Sequence, residues 1–264
     1  MRGVILAGGT GTRLKPLTDV INKHLLPVYN KPMIFYPLTT LILAGITEIA
    51  IVCNRDDLGS FHKLLNDGKN LNLDIQYFIQ EEPNGIAGGI LACKQFVEGE
   101  KFCLILGDNL IYGPGLGRNL ISKVAGEGAT ILAHSVSNPE NFGVIKFNPD
   151  GEPVSIQEKP LRFVSNWAVP GVYFYDATAV SRISELRPSP RGELEISDLN
   201  RSYLESKDLT VVKMPLGTAW LDLGSFASLL QAGQFIQIIE ERQGIRIGDP
   251  NIASLEMGSS IEAS

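Results

Sequence analysis

The chain has 264 residues, of which 44% are hydrophobic and 20% are charged, a composition typical of a globular protein with a large core. Its net charge of −6 at pH 7 argues against binding to nucleic acid polymers, which calls for a basic surface. No apolar run is long enough to cross a bilayer and no signal peptide precedes the first predicted strand, so we expect a cytoplasmic protein that does not bind membranes.

The first part of the chain alternates predicted strands with predicted helices. Strands are expected at Val4–Ala7, Ile49–Cys53, Ile75–Ile79 and Cys103–Leu106 because these runs are mainly apolar and short. Segments with helical spacing lie between them, at about Met33–Ala44, Leu58–Asn66 and Ile86–Val97. This alternation predicts an α/β fold with parallel strands and right-handed crossovers.

The pattern changes after residue 128. Short strands separated by turn signals are expected at Ile131–Val136, Val144–Phe147, Val154–Gln157 and Val172–Tyr175. The chain then continues with predicted helices at about Ala177–Leu186 and Glu195–Glu205, a strand at Leu209–Met214 and a helix at about Phe226–Arg242. Residues after Gly244 are expected to form turns, and Ser259–Ser264 to fray.

The glycine-rich segment Gly8–Arg13 directly follows the first predicted strand. Backbone amides in such a segment can approach an anion closely because no Cβ atoms intervene, and Arg13 and Lys23 add two cations. The Walker spacing does not occur, and the dinucleotide spacing that starts at Gly9 ends at Leu14 where glycine or alanine is needed. A purely structural turn is the alternative, but the two cations favour a polyphosphate site over it, and the spacing argues against a redox dinucleotide.

Asp108 follows the strand that ends at Leu106, as Gly8 follows the first strand. Ligands of open α/β sheets bind beyond the carboxyl ends of the strands, so both segments are expected at one edge of the sheet. A carboxylate at this position can bind a hard cation or can cap the turn that follows it. The residues around Asp108 allow both interpretations.

Matching strings in a fixed order give the chain a resemblance to the sugar-1-phosphate nucleotidyltransferases. The string from Gly8 to Pro16 and the string Lys23–Val28 resemble the signature of that family. Further matches follow at Lys31–Ile34, Leu106–Asn109, Phe142–Val144, Glu158–Pro160, Arg191–Ile196, Trp220–Gly224 and Glu241–Gly244. Together they cover about residues 1–258, and their order makes the resemblance specific.

The resemblance implies a Rossmann-like nucleotidyltransferase fold, with a central, mostly parallel mixed sheet, helices on both faces and a small β-rich sugar-binding region. It implies one domain over residues 1–244 and a tail over 245–264. The domain would comprise a nucleotide-binding half at about 1–128, a sugar-binding half at 129–224 and a C-terminal helix at 225–244. A homotetramer is also expected by resemblance.

The implied reaction transfers the nucleotidyl group of dTTP to glucose 1-phosphate and releases pyrophosphate by Mg²⁺-dependent, direct in-line displacement, with UTP or another nucleoside triphosphate and another sugar 1-phosphate as the alternative. The resemblance assigns catalysis to Arg13, Lys23, Asp108 and Asp222, with both aspartates as metal ligands. It assigns nucleotide binding to Leu6, Gly8, Gly9, Gly11, Thr12, Gln80, Pro83, Gly85 and Asp108. It assigns sugar phosphate binding to Asn109, Gly143, Glu158, Lys159, Val169, Arg191 and Trp220.

Several positions depart from the usual family pattern: His24 in place of glutamine, Gly88-Gly89 after the Gly85 loop, Phe142 in place of tyrosine and Pro170 in place of threonine. None of them affects the two aspartates, so the reaction class is unchanged, whereas the choice between dTTP and UTP and the choice of sugar stay open. A non-catalytic nucleotide-sugar sensor on the same fold is the alternative from a different class. It is disfavoured because Lys23, Asp108 and Asp222 are all present.

Overall fold

The computed structural model describes residues 1–113 and 126–261. The strands, numbered in chain order, are β1 Arg2–Leu6, β2 Pro27–Val28, β3 Lys31–Pro32, β4 Glu48–Cys53, β5 Asp74–Ile79, β6 Phe102–Leu106, β7 Asn109–Tyr112, β8 Ala129–Ser135, β9 Gly143–Phe147, β10 Pro153–Glu158, β11 Trp167–Ala168, β12 Val172–Tyr175, β13 Leu209–Lys213 and β14 Ala219–Asp222. The α-helices are α1 Phe35–Leu43, α2 Leu58–Leu65, α3 Ile86–Ala92, α4 Lys94–Val97, α5 Ala179–Glu185, α6 Ile196–Glu205, α7 Phe226–Gln243 and α8 Pro250–Ile261.

A large mixed sheet forms the centre of the molecule, in the order β10-β9-β11-β8-β12-β6-β1-β4-β5, with β13 pairing beside β8. Strands β6, β1, β4 and β5 are parallel, as the alternating strands and helices predict. Strand β12 runs antiparallel to β6, and the short strands predicted after residue 128 continue the sheet beyond it. The predicted α/β class is confirmed.

Helices cover both faces of the sheet because its strands carry apolar side chains on both faces. Val4 and Leu6 of β1 pack into one buried cluster with side chains of α3 to α6. Ile5 and Ala7 point to the opposite face and pack with side chains of α1 and α2. A third cluster joins α7 to the small β7-β14 sheet and to the β2-β3 hairpin.

The prediction of turns after Gly244 agrees with residues 245–249 but is wrong for residues 250–261. Residues 250–261 form α8, which packs over α1 and buries Ala253. Asp249 accepts a hydrogen bond from the amide of Asn251 at 3.0 Å, and Pro250 opens the helix, a common combination at a helix start. Residues 259–261, predicted to fray, belong to this helix, and 262–264 lie outside the described residues.

Two smaller differences concern the first half of the chain. The predicted helix at Ile86–Val97 is divided at Cys93 into α3 and α4. Asp108 is not followed by the turn that one of its two interpretations requires, because the chain enters strand β7, which pairs with β14. Of the helices in the described ranges, none is long and apolar enough to cross a membrane.

Candidate active site

The carboxyl ends of β1 and β6 lie side by side, and both predicted site segments leave the sheet there. Leu6 pairs with Leu106 in register, and the Gly107 amide donates to the Leu6 carbonyl at 2.8 Å. A cleft of about 390 Å³ opens at this edge. Twelve of the predicted site residues line it: Leu6, Gly8, Gly9, Arg13, Lys23, Gln80, Pro83, Gly85, Asp108, Glu158, Lys159 and Arg191.

The glycine loop, residues Gly8–Thr12, turns sharply between β1 and a short 3₁₀ turn. Gly9 and Gly11 have φ values of 95° and 57°, a conformation that glycine adopts without strain. Among hydrogen bonds between described residues, the amides of Gly8, Thr10 and Gly11 donate to no protein acceptor, whereas the Gly9 amide donates to Asn54. Unpaired amides at the cleft can therefore bind an anion. Thr12 is exposed beside the loop and does not line the cleft.

The two predicted metal ligands meet although 114 positions separate Asp108 from Asp222 in the sequence. Antiparallel pairing of β7 with β14 places Asp222 opposite Asn109, the neighbour of Asp108. The Leu223 amide also donates to the Asp108 carbonyl at 2.9 Å. Both carboxylates therefore belong to one corner of the molecule.

The pKa values of the two carboxylates are shifted in opposite directions. Burial alone would raise the pKa of Asp108, but Lys23 and hydrogen bonds lower it overall. The Lys23 Nζ atom lies 2.5 Å from Asp108 Oδ2, and the side chains are only 16% and 14% exposed. The pKa of Asp222 is raised, first by burial and then by the charge of Asp108, against the opposing effects of Arg13 and Lys23.

A divalent cation fits this pair of carboxylates because it would relieve the repulsion that raises the pKa of Asp222. Within the described ranges, no group of three or more histidine, cysteine, aspartate or glutamate side chains could hold a metal. Two carboxylates suit Mg²⁺, which commonly takes its remaining ligands from water and substrate phosphates.

Arg13 approaches the same corner from the glycine loop. A Cβ atom on Gly224 would overlap its guanidinium group and would lie 3.2 Å from Asp222 Oδ1. Glycine at position 224 therefore leaves room for the guanidinium group next to the carboxylate. Arg13 is exposed, so its charge is available to a ligand in the cleft.

Gln80, predicted to bind the nucleotide, lines the cleft with a fixed amide group. Its Nε2 atom donates to Asn84 Oδ1 at 2.9 Å and to the Gly85 carbonyl at 3.1 Å. Both amide protons are thus used, and Oε1 faces Gly8 and Gly89 as an acceptor. A Cβ atom at Gly88 would overlap the Asn84 side chain. The glycines at positions 88 and 89, which differ from the usual family pattern, therefore leave room for this arrangement of side chains.

Gly143, Glu158 and Val169, all predicted to bind the sugar phosphate, lie close together. The Ser197 hydroxyl donates to Glu158 Oε2 at 2.6 Å, and a Cβ atom on Gly143 would lie 3.3 Å from the same oxygen. The Val169 amide donates to the Gly143 carbonyl at 2.8 Å, so this amide is not free for a sugar. Lys159 has a φ of 40° at the end of β10 and lines the cleft next to Glu158.

Asn109 and Trp220 do not line the cleft, in contrast to the sugar contacts expected from the resemblance. Asn109 is 3% exposed, and its Oδ1 accepts from Trp220 Nε1 at 2.6 Å and from the Gly171 amide at 3.0 Å. Its Nδ2 donates to Asp108 Oδ1 at 3.0 Å. In this structure, Asn109 therefore orients the Asp108 carboxylate.

Arg191 lines the cleft but already has acidic partners. Its Nη2 atom lies 2.8 Å from Glu195 Oε1 and 3.4 Å from Glu193 Oε2, with the side chain 48% exposed. A sugar phosphate would have to compete with these carboxylates for the guanidinium group. Neither glutamate is among the predicted site residues, although both lie within the Arg191–Ile196 string.

His24 also lines the cleft and was noted only as a departure from the family pattern. Burial and the neighbouring Lys23 charge lower its pKa to about 3, so the ring is neutral near pH 7. Its Nδ1 atom lies 2.9 Å from Asn22 Oδ1, and its backbone amide donates to the same oxygen at 2.8 Å. A Cβ atom on Gly107 would lie 2.6 Å from the ring.

Comparisons with known proteins agree over most of the chain. A family model described as nucleotidyl transferase matches residues 2–238. A glucose-1-phosphate thymidylyltransferase of Neisseria meningitidis serogroup A is 48% identical over 94% of this chain and 86% of its own. One of Mycobacterium tuberculosis is 45% identical over 98% of this chain and 90% of its own.

Solved structures show the same architecture. A Bacillus anthracis protein provisionally assigned as a glucose-1-phosphate thymidylyltransferase, solved with sucrose, superposes with a TM-score of 0.83 at 39% identity, over 89% of this chain and 94% of its own. A UDP-glucose pyrophosphorylase complexed with UDP-glucose has a TM-score of 0.79 at 23% identity, over 90% of this chain and 98% of its own, and shows the fold alone.

Proposed function

The chain belongs to the nucleotidyl transferase family, and we propose that it transfers the thymidylyl group of dTTP to glucose 1-phosphate with release of pyrophosphate. The observation that carries this proposal is the meeting of Asp108 and Asp222, with Lys23 and Arg13, beside unpaired amides of the glycine loop. The names of the similar curated proteins support the nucleotide and the sugar phosphate.

The reaction brings two polyanions together, so charge neutralisation and positioning dominate its barrier. At about 4 Å and an effective dielectric constant near 20, each pair of unit charges contributes roughly 4 kcal/mol. Arg13 and the free amides would bind the triphosphate, and Lys23 would neutralise charge where the phosphates react. Lys159 and Arg191 also line the cleft and would bind the sugar phosphate.

No general base is needed because the sugar phosphate is ionised near neutral pH. One of its oxygen atoms forms a bond to the α-phosphorus while the bond to the β-phosphate oxygen breaks, and the electron pair leaves with pyrophosphate. The neutral His24 ring is not required to take a proton. Direct in-line displacement without a covalent enzyme intermediate follows.

Asp108 and Asp222 would hold the divalent cation, which we propose to be Mg²⁺. When bound, it supplies positive charge to the reacting phosphate oxygens. Lys23 holds the Asp108 carboxylate ionised, so this ligand is ready to bind a cation.

Base selection follows from the fixed amide of Gln80. Because Oε1 is an acceptor, it can accept a hydrogen bond from the N3–H of thymine or uracil. It cannot form a hydrogen bond to N3 of cytosine, which carries no proton. The thymine methyl group alone discriminates by only about 1–3 kcal/mol, so UTP is the alternative nucleotide.

Pyrophosphate release, measured with dTTP, UTP, dCTP and dATP against several sugar 1-phosphates, tests the proposal. We expect the highest kcat/KM with dTTP and glucose 1-phosphate and no release without a divalent cation. Absence of release with every pair would favour the non-catalytic sensor instead. The homotetramer and the cytoplasmic location remain predictions, and light scattering of the purified protein would test the first.

A further inference from the structure

A chain of polar side chains lies behind the glycine loop, outside the residues assigned above. Asp57 ends the short 3₁₀ turn that follows β4. Its Oδ2 atom accepts from Asn22 Nδ2 at 2.7 Å and from Asn54 Nδ2 at 2.9 Å. One carboxylate oxygen thus joins two amide side chains from segments far apart in the sequence.

Asn54 holds the glycine loop through both backbone groups of Gly9. Its Oδ1 accepts from the Gly9 amide at 3.2 Å, and its Nδ2 donates to the Gly9 carbonyl at 3.2 Å. Gly9 has a φ of 95°, so the side chain fixes the loop at its left-handed turn. The loop amides on either side of Gly9 are those left unpaired.

Asn22 holds the turn that carries Lys23. It is 8% exposed, and its Oδ1 accepts from the amide and Nδ1 of His24. Its Nδ2 also donates to the Ala7 carbonyl at 3.1 Å, at the end of β1. The same side chain therefore connects the strand end, the Lys23 turn and Asp57.

The chemistry of Asp57 sets both orientations. An ionised carboxylate accepts hydrogen bonds but cannot donate them, so each asparagine turns its NH₂ group toward Asp57 and its oxygen away. Those oxygens then accept from Gly9 and His24. Alanine at position 57 would remove the oxygen that accepts from both NH₂ groups and with it this preference.

We propose that Asp57 is a positioning residue that, through Asn54 and Asn22, sets the glycine loop and Lys23 for binding the nucleoside triphosphate. This inference rests on the proposed function, since it assumes that the loop binds the triphosphate. Asp57 does not line the active-site cleft, but it lines a second depression that shares Gly9 and Lys23 with the cleft. It acts through its two partners.

The test compares Asp57→Ala with Asp56→Ala, a matched control because Asp56 is exposed in the same turn. Loss of a group that orients binding residues commonly lowers activity about 10- to 100-fold. We expect kcat/KM for dTTP to fall by that factor in Asp57→Ala, mainly through KM, with KM for glucose 1-phosphate within about twofold. Asp56→Ala should match the wild type in every constant.

The outcomes separate the two proposals. A wild-type protein that releases no pyrophosphate refutes the proposed function whatever the variant does. An active wild type with unchanged dTTP kinetics in Asp57→Ala refutes the positioning role, as does an equal loss toward both substrates. If circular dichroism shows that Asp57→Ala does not fold, Asn54→Ala carries the test. This substitution removes only the side-chain hydrogen bonds to Gly9 and Asp57, and it should raise KM for dTTP but not for glucose 1-phosphate.

Discussion

Replacing Lys23 with methionine should destabilise the protein in the absence of metal and substrate. The ammonium lies 2.5 Å from Asp108, and neither side chain is more than 16% exposed. Removing one member of a buried ion pair costs about 3–5 kcal/mol because the other charge stays buried without a partner. Here the remaining carboxylate also faces Asp222, whose pKa is already raised. We expect a loss of about 3 kcal/mol, which lowers Tm by roughly 6–12 °C for a chain of this size.

Asp108→Asn should cost less, about 1 kcal/mol, because it relieves the repulsion on Asp222 and leaves Lys23 next to that carboxylate. The double variant Lys23→Met/Asp108→Asn should recover at least half of the loss caused by Lys23→Met. Thermal unfolding at pH 7 with EDTA measures all three. A Lys23→Met protein that melts within 2 °C of the wild type, or a double variant that melts no higher than Lys23→Met, would refute the reasoning.

The stability that Asp108 contributes also depends on pH, with a defined sign. Its pKa is lowered in the folded protein, so the contribution is present above the ordinary pKa of about 4 and is lost as the pH falls toward 2. The difference between the wild type and Lys23→Met should therefore shrink below about pH 4.

Three further predictions concern single side chains. The pKa of His24 is about 3 when folded and about 6.5 when unfolded, so the unfolded state binds the extra proton and stability falls as the pH drops between these values. His24→Gln should flatten the slope of unfolding free energy against pH by up to about 1.4 kcal/mol per pH unit, and denaturant titrations from pH 7 to 5 check this. Because Gln80 presents a fixed acceptor, kcat/KM for dTTP and UTP should be at least about 100-fold higher than for dCTP. Comparable values would show that the Gln80 amide does not select the base through a hydrogen bond to N3. Glu195→Gln should lower KM for glucose 1-phosphate about threefold because it weakens the competing partner of Arg191, and an increase in KM would contradict this competition.

The glycine loop and Asp108 could be located from the sequence because local signals define them. Each follows a short apolar strand, and parallel pairing brings the strand ends together regardless of the rest of the fold. The start of α8 also has a local signal, Asp249-Pro250, although no helix was predicted there. Such features depend on neighbouring residues alone.

Other features depend on distant pairing and could not be derived from local patterns. Asp222 meets Asp108 only because β14 pairs with β7, and without the family resemblance nothing in its neighbourhood distinguishes it from a solvated turn residue. The orientation of Asn109 needs Trp220 and Gly171 in place, and a sequence match gives no orientation. The pairing of Arg191 with Glu195 likewise depends on the conformation of an irregular loop.

The central claim is that Asp108 and Asp222 act as one unit on the reacting phosphates. Steady-state pyrophosphate release by Asp108→Asn, Asp222→Asn and the double variant, at saturating dTTP, glucose 1-phosphate and Mg²⁺, tests it most directly. Groups that act as a unit give non-additive losses. Each single variant should lose about 1,000-fold in kcat, and the double variant should lie within about tenfold of the slower single variant. A single variant within tenfold of the wild type, or losses that multiply in the double variant, would contradict the claim.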